Sequence, residues 1–276
     1  YNGMVVPAAE RALKLDPMLS MPYAALAMAE QNEKTVDWAK SLELSGRAIE
    51  TDPKNATAYL WRSIAWLNLG FFNKAIADQD SCLRVDPAYI NCTRWKAQSY
   101  IYLGDDSKAM DLFEQGVAAG FVTNRANSFV PSMVRKGNTL AARLILKDIN
   151  VPPELSNILI TELANPGVSN IDAKAIVAKY EADNLKASGV DLSARIVYLW
   201  LGDFNAVADR VRDGDNSNDE ILAWEPARPE WRNSPAFKRV LQKMGVVNYW
   251  QKHGYPAHCR AVGINDFTCD APKPLP

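Results

Sequence analysis

The sequence predicts an all-α protein made of consecutive antiparallel helix pairs. Two dipeptides recur at a nearly constant interval. Asp-Pro begins at Asp16, Asp52 and Asp86, and Leu-Gly begins at Leu69 and again at Leu103. Proline cannot continue a helix and restricts the residue before it, so each Asp-Pro ends one helix and starts the turn to the next. Because Leu-Gly marks a second turn halfway along, the repeating unit is helix, turn, helix, turn.

The composition is that of an ordinary folded protein. Of the 276 residues, 48% are hydrophobic and 23% are charged, and 31 basic residues nearly balance 32 acidic ones. Such a balance produces no net field that would attract nucleic acid or an anionic membrane. The chain also lacks the run of about 20 apolar residues that spans a bilayer. We therefore expect neither direct nucleic-acid binding nor membrane insertion by this segment.

A half unit and one full unit come first in the chain. The run from Glu10 to Leu15 precedes an Asp-Pro pair, so residues 1–19 are predicted to hold the second helix of a truncated repeat. Residues 20–55 form the next unit, which carries two extra residues around 32–37. Because the face of a repeat needs a neighbour or a polar cap, and the chain opens with Tyr-Asn-Gly, we expect more protein to precede this segment.

Two regular units follow, at 56–89 and 90–123. Small residues that let paired helices approach closely, and aromatic residues that fill the space between turns, stand at matching places in both. They are Tyr59, Ser63, Trp66, Gly70, Ala75 and Pro87 in the first unit, and Ala97, Tyr100, Gly104, Ala109 and Phe113 in the second. In this pattern the sequence resembles the tetratricopeptide repeat (TPR) family. The resemblance implies a right-handed superhelical solenoid of antiparallel helix pairs.

Beyond residue 123 the repeat weakens while the helical character persists. We expect degenerate TPR-like helical hairpins over 124–223. The remainder, 224–276, is predicted to be an irregular C-terminal cap and tail, because it concentrates aromatic residues such as Trp224, Trp231 and Trp250. Repeat arrays need such a cover over their last unit. An aromatic cage that holds a ligand is the alternative interpretation.

The four cysteines form two pairs with the same spacing. Cys82 and Cys92 are ten positions apart, and so are Cys259 and Cys269. The even number and the matched spacing permit two disulfides, whereas buried free thiols are the alternative. If either disulfide forms, this segment lies outside the reducing cytosol.

The amino-acid sequence of the C-terminal region resembles that of a known group of TPR proteins. The stretches 237–250, 254–259 and 266–269 are similar to the tails of bacterial TPR proteins that follow a winged-helix DNA-binding domain or, in relatives, an adenylate-cyclase-type domain. The resemblance implies the sensory or interaction region of a bacterial transcriptional regulator with an upstream DNA-binding domain. The alternatives are the regulatory region of a cyclase-type enzyme and a free-standing scaffold.

In the family of these bacterial TPR proteins a membrane helix often precedes the TPR region, which would place this segment on the periplasmic side of a membrane-anchored protein. The cytoplasm is the alternative location.

No catalytic, metal or cofactor site is predicted. His253 and His258 are the two histidines, which is too few for most catalytic arrangements, and no phosphate-binding loop or nucleophile elbow occurs. His258 and Cys259 are adjacent, whereas zinc ligands are usually two to four positions apart. We therefore expect a binding protein rather than an enzyme.

The TPR resemblance implies a concave groove lined by the first helix of each pair. An extended peptide or a partner helix would bind there. By register, the groove residues are Met28, Thr57, Leu60, Ile64, Asn68, Asn91, Arg94, Gln98 and Tyr102. The alternative is that some of them pack against a following hairpin. A grip on a terminal carboxylate is disfavoured, because Leu60 and Ile64 stand where polar groups would be needed.

Overall fold

The computed structural model describes residues 2–33, 36–120, 127–168, 172–184, 193–211, 223–263 and 266–272. Within these ranges successive helices pack on one another in antiparallel pairs, and the predicted fold class is confirmed. A short two-stranded hairpin near the C-terminus is the described exception to the all-α expectation.

Seven helices make up the regular part of the array. They are α1 (Asn2–Leu15), α2 (Ser20–Gln31), α3 (Trp38–Thr51), α4 (Ala56–Asn68), α5 (Phe72–Val85), α6 (Ile90–Tyr102) and α7 (Asp106–Ala118). Helix α2 packs on α3, α4 on α5, and α6 on α7, and each pair then packs on the next. These three pairs fall within 20–55, 56–89 and 90–123.

Capping side chains and glycines define the ends of several of these helices. Asp37, Asn55 and Asp105 each accept a hydrogen bond from the backbone N–H three residues ahead, which satisfies a donor that the first turn would leave unpaired. Gly70 and Gly104 follow α4 and α6 with φ of 77° and 75°. Glycine adopts this left-handed conformation without steric cost, so the chain can reverse sharply there.

Further helices continue the array, and several of them are shorter. They are α8 (Val130–Arg135), α9 (Thr139–Asp148), α10 (Pro153–Ala164), α11 (Ala173–Asn184), α12 (Ala194–Leu201) and α13 (Phe204–Arg210), with a 3₁₀ turn at Asn127–Phe129. Helix α8 packs on α9, and α10 packs on α12, which also contacts α11 and α13. The expected boundary at 123 and 124 lies outside the described residues. None of the described helices has both the length and the apolar character to cross a bilayer.

Residues 223–272, described except for 264 and 265, form what we call the C-terminal module. It contains a 3₁₀ turn (Pro229–Trp231), α14 (Pro235–Lys243), α15 (Val246–His253), and the antiparallel strands β1 (Cys259–Val262) and β2 (Asp266–Cys269). The structure joins Cys259 on β1 to the directly opposite Cys269 on β2 by a disulfide. A second disulfide joins Cys82 on α5 to Cys92 on α6.

The C-terminal module folds back onto the regular helices. The Trp38 indole on α3 donates to the Met244 carbonyl at 2.8 Å, and the Trp250 indole donates to the Leu69 carbonyl at 2.9 Å. Both tryptophans are buried. The predicted cap over the last repeat stays a prediction: the module packs on α13, and it also contacts α3 and the end of α4.

Trp224 packs on the turn between α4 and α5. Its Nε1 donates to the Asn68 carbonyl at 3.1 Å, and its ring packs edge-on against Phe72 with centroids 5.4 Å apart. A Cβ added at Gly70 would lie 2.7 Å from the Trp224 ring, so a glycine is needed there for this approach as well as for the turn.

A buried ion pair fixes the module to the second half of the chain. Arg228 donates from Nε to the Trp200 carbonyl at 2.9 Å and pairs with Glu162 at 3.2 Å. Lys243 donates to the Val211 carbonyl at 2.7 Å. The module thus contacts helices from both halves of the array and joins them.

Candidate interaction surface

Five of the predicted groove residues are core residues. Leu60, Ile64, Asn68, Gln98 and Tyr102 are each at most 4% exposed. The apolar ones belong to the same continuous core as the tryptophans of the C-terminal module. The prediction that these five residues line an open groove is wrong. They lie in a core to which the chain's own C-terminal segment contributes.

The other four predicted groove residues remain accessible to solvent. Met28, Thr57 and Arg94 are half-buried, and Asn91 is exposed. Met21, at the position in α2 that corresponds to Thr57 and Asn91, is 51% exposed. We call these five residues the open strip. Their role in binding stays a prediction.

Polar and aromatic neighbours hold the open strip in place. The Thr57 hydroxyl lies 3.2 Å from the Tyr89 hydroxyl, which joins the starts of two neighbouring pairs. The Arg94 guanidinium lies over the Trp95 ring, 4.6 Å from its centroid. Stacking of this kind restrains a guanidinium while leaving its charge intact. An ordered cation therefore stands at one end of the strip.

The two methionines give the other end of the strip a different chemistry. Met21 and Met28 lie on α2, at the first turn and the third. Thioether side chains adapt to apolar groups of varied shape. The strip can thus receive an apolar side chain at α2, hydrogen bonds at Thr57 and Asn91, and a negative charge at Arg94.

A cleft of about 630 Å³ lies where the C-terminal module meets the turn between α4 and α5. It is lined by Gly70, Phe71, Phe72, Asn73, Lys74, Leu103, Pro256, Ala257, His258, Asp270, Ala271 and Pro272. The His258 ring stacks on Phe72 with centroids 5.1 Å apart. Burial, assisted by the charge of Arg232, lowers the pKa of His258 to about 4, so this imidazole is neutral near pH 7. Because Cys259 is held in a disulfide, His258 and Cys259 cannot act as an imidazole and thiolate ligand pair.

A cluster of charges lies at α7 and α8. Arg135 makes two hydrogen bonds of 2.8 Å to Asp106, which also accepts from the Ser132 hydroxyl at 2.6 Å. Burial would raise the pKa of Asp106, but the hydrogen bonds from Arg135 and Ser132 outweigh burial and lower it. Burial raises the pKa of the neighbouring Glu225 to about 7, although the charge of Arg135 opposes the rise.

Sequence reasoning missed the residues that fill the inner surface. The density of aromatic residues marked Trp224 and Trp250 as structural, but no local signal indicated that their partners are Asn68 and Leu69. Nothing in the sequence distinguished Glu225 from the other glutamates, since its properties come from burial against elements distant in the chain.

Comparison with known proteins supports repeats of the TPR kind. No family model matches the chain. A 92-residue stretch, 33% of the chain, is 29% identical to the tetratricopeptide repeat and J domain-containing co-chaperone DNJ1 of Cryptococcus neoformans var. grubii, of which it covers 18%. The chain thus matches less than a fifth of this relative's length. A solved structure of Naa15/Naa10 bound to HypK-THB aligns with 91% of this chain and 40% of its own, at 16% identity and a TM-score of 0.38. That score is too low to support an argument about function.

Proposed function

We propose that this chain is a non-catalytic, protein-binding module that takes a peptide or a partner helix on the open strip. The observation that carries the proposal is the contrast along the inner helix faces. In α4 and α6 the later turns of these faces are packed in the core, whereas Met21, Thr57 and Asn91, in the first turns of α2, α4 and α6, remain accessible. This contrast favours a short recognition site over a groove that runs the length of the array.

The chemistry of the strip favours a segment that combines apolar and acidic residues. Apolar side chains of the partner would pack on Met21 and Met28, and a carboxylate would pair with Arg94. A charge pair beside an aromatic ring is shielded from water on one side, which strengthens it relative to a fully exposed pair. Asn91 would hydrogen-bond the partner backbone between these two contacts.

A charge reversal with a matched control tests the proposal. Peptides selected from a displayed random library on the wild-type chain would be titrated against Arg94→Glu and Arg84→Glu. Arg84 is an exposed arginine on α5, outside the strip. We expect at least a tenfold loss of affinity for Arg94→Glu and little change for Arg84→Glu, measured by fluorescence polarisation. Equal affinities for the two variants would contradict binding at the open strip.

We also propose that the chain serves as the interaction region of a bacterial transcriptional regulator on the periplasmic side of a membrane. The similarity of residues 237–269 to the tails of such proteins supports the role, and the placement of all four cysteines in disulfides supports the location. The coding sequence upstream of Tyr1 separates this role from a cyclase-type enzyme and from a scaffold. Thiol titration of the denatured, unreduced protein tests the location, and four free thiols would argue against it.

The similarity to a co-chaperone favours a second candidate of the same binding class. If the chain has a co-chaperone role, it should suppress the aggregation of a heat-denatured model protein in a light-scattering assay. Suppression that is equal in wild type and Arg94→Glu would indicate a surface other than the open strip.

A further inference from the structure

The cleft between the C-terminal module and the turn that joins α4 to α5 shares no residue with the open strip. Phe71 and Phe72 line it from the turn, and Pro256, Ala257 and Pro272 line it from the module. Its volume of about 630 Å³ lies within the range of small-molecule pockets, about 300 to 1,000 Å³. A planar apolar group can therefore enter the cleft and pack against both sides of it.

Helix α5 begins at this cleft. Its first three residues, Phe72, Asn73 and Lys74, all line the cleft, and Phe71 at the N-cap has no side chain that could accept from the free N–H groups of the first turn. In α7, the equivalent helix of the next pair, Asp105 supplies such a cap. The uncapped N–H donors and the positive end of the helix dipole favour an anion at this end of the cleft.

Lys74 brings a full positive charge to the same place. Its Nζ lies 4.3 Å from the centroid of the Trp66 ring and 4.7 Å from that of the Phe71 ring, so two aromatic rings hold the ammonium in position. None of the residues that the structure describes places a carboxylate within ion-pair distance of this ammonium. A cation that is held in place and not neutralised can pair with the anionic group of a ligand.

The acidic residue of the cleft does not cancel this charge. The Asp270 carboxylate accepts a hydrogen bond from Arg260 at 2.7 Å, and Arg232 donates to the Asp270 carbonyl at 3.2 Å. One carboxylate thus lies beside two guanidinium groups, and it leaves the charge of Lys74 available. His258 adds no charge near pH 7, because burial, assisted by Arg232, lowers its pKa to about 4.

We propose that this cleft is a binding site for a small organic anion, an aromatic carboxylate. Its ring packs on Phe71 and on the prolines of the module, and its carboxylate pairs with Lys74 and the first turn of α5. The apolar walls select the ring, and the uncapped helix start and the lysine select the charge. The site requires both parts of the fold, since the module supplies one side of the cleft and the α4–α5 turn supplies the other.

Naphthaleneacetate and its uncharged analogue naphthaleneacetamide test the proposal on the full chain. His258 is one of two histidines, and its ring stacks on Phe72 with centroids 5.1 Å apart, so its Hε1 resonance in proton NMR reports a ring that enters the cleft. The His253→Asn variant assigns the two resonances. We expect naphthaleneacetate to shift the His258 resonance saturably. Naphthaleneacetamide should bind at least about tenfold more weakly, because it lacks the charge that Lys74 attracts.

Two lysine variants separate the charge of the cleft from general electrostatics. Lys74→Met keeps an unbranched side chain and removes the charge, so it should lower the affinity for naphthaleneacetate at least about tenfold and change that for naphthaleneacetamide less than about twofold. Lys147→Met, at an exposed lysine on α9 outside the cleft, is the matched control and should bind both probes like the wild type. Ala257→Phe places a ring in the cleft and should weaken the binding of both probes.

Equal affinities of the wild type for the acid and the amide would overturn the proposal, as would an unchanged affinity for naphthaleneacetate in Lys74→Met. The absence of a saturable His258 shift up to about 10 mM naphthaleneacetate would do the same. If Ala257→Phe does not fold, the comparison of the two probes on the wild type decides. None of these measurements involves the open strip, so their outcome leaves the proposed function untouched.

Discussion

Gly70 and Gly104 show that a glycine can be needed for two different reasons, the backbone conformation of a turn and the close packing of a neighbouring side chain. Both follow the first helix of a pair, at the same place in successive units, and both have a positive φ. A Cβ at Gly104 would meet nothing within 4 Å, whereas a Cβ at Gly70 would lie 2.7 Å from the Trp224 ring. Gly104 serves the turn alone, and Gly70 serves the turn and the seating of the module.

Alanine at each glycine should separate these two demands. Gly104→Ala should lower the free energy of unfolding by about 1 to 2 kcal/mol, the cost of placing a side chain in the left-handed region. Gly70→Ala should cost this amount and, because the Trp224 ring must move, roughly 1 to 3 kcal/mol more. Urea unfolding of both variants measures the difference. Equal losses would show that the Trp224 contact is looser than the structure indicates.

The two disulfides close loops of the same length, but one joins two helices and the other joins two short strands. Cys82 and Cys92 join two helices that already pack along their length, whereas Cys259 and Cys269 join strands of four residues each. Loops of this size predict a similar stabilisation of about 3 kcal/mol for each bridge, from the restricted unfolded chain. The local consequence of losing each bridge should differ.

Replacement of both cysteines of one bridge by alanine tests this difference. Without Cys259 and Cys269, amides of β1 and β2 should lose most of their protection from hydrogen exchange, since a short hairpin is marginal alone. Without Cys82 and Cys92, amides in the middle of α5 and α6 should stay protected by their packing. A hairpin that keeps its protection would show that docking of the buried Phe267 is sufficient to hold it.

Local signals made most of the helical elements predictable. The Asp-Pro and Leu-Gly dipeptides marked the turns, and Asp37 and Asp105 stand where side chains cap helices. The strands β1 and β2 could not be predicted in this way, because their pairing depends on the Cys259–Cys269 bridge and on packing against the rest of the module. Boundaries of the degenerate helices were equally out of reach, since they depend on contacts made later in the chain.

For the candidate interaction surface, the sequence predicted only which side of the helices would carry it. The repeat register identified the inner side of α4 and α6, but it could not show what packs there. Asn68 and Trp224 are 156 residues apart, and Trp38 and Met244 are 206 apart. A pattern that recurs from one helix pair to the next contains no information about contacts at such separations. The groove hypothesis therefore failed for the covered residues and remains open for Arg94 and its neighbours.

At the scale of the whole molecule, the C-terminal module joins helix pairs that would not touch in an open repeat array. In an open repeat protein each unit contacts only its neighbours, and units can unfold separately. Here the module contacts α3 near one end and α13 near the other. Arg228 and Lys243 tie it to the later helices, while Trp38 and Trp250 join it to the early ones.

We therefore expect one cooperative unfolding transition at pH 6. Helix content from circular dichroism and burial of the indoles from tryptophan fluorescence should give the same urea midpoint. Trp38→Phe, which removes the donor to the Met244 carbonyl, should shift both midpoints together. Midpoints that differ in the wild type would show that the regular pairs unfold independently of the module.

The return of Trp224 and Trp250 to the end of α4 also sets an order of events during biosynthesis. A ribosome that adds about 5 to 20 residues per second needs roughly 8 to 31 s to travel the 156 positions from Asn68 to Trp224. Throughout that interval the nascent α4 has been made while the tryptophans that will cover its final carbonyls do not yet exist. The early helix pairs therefore keep part of their apolar surface in water during synthesis. The folded structure is completed only when the C-terminal module, which is made last, packs on them.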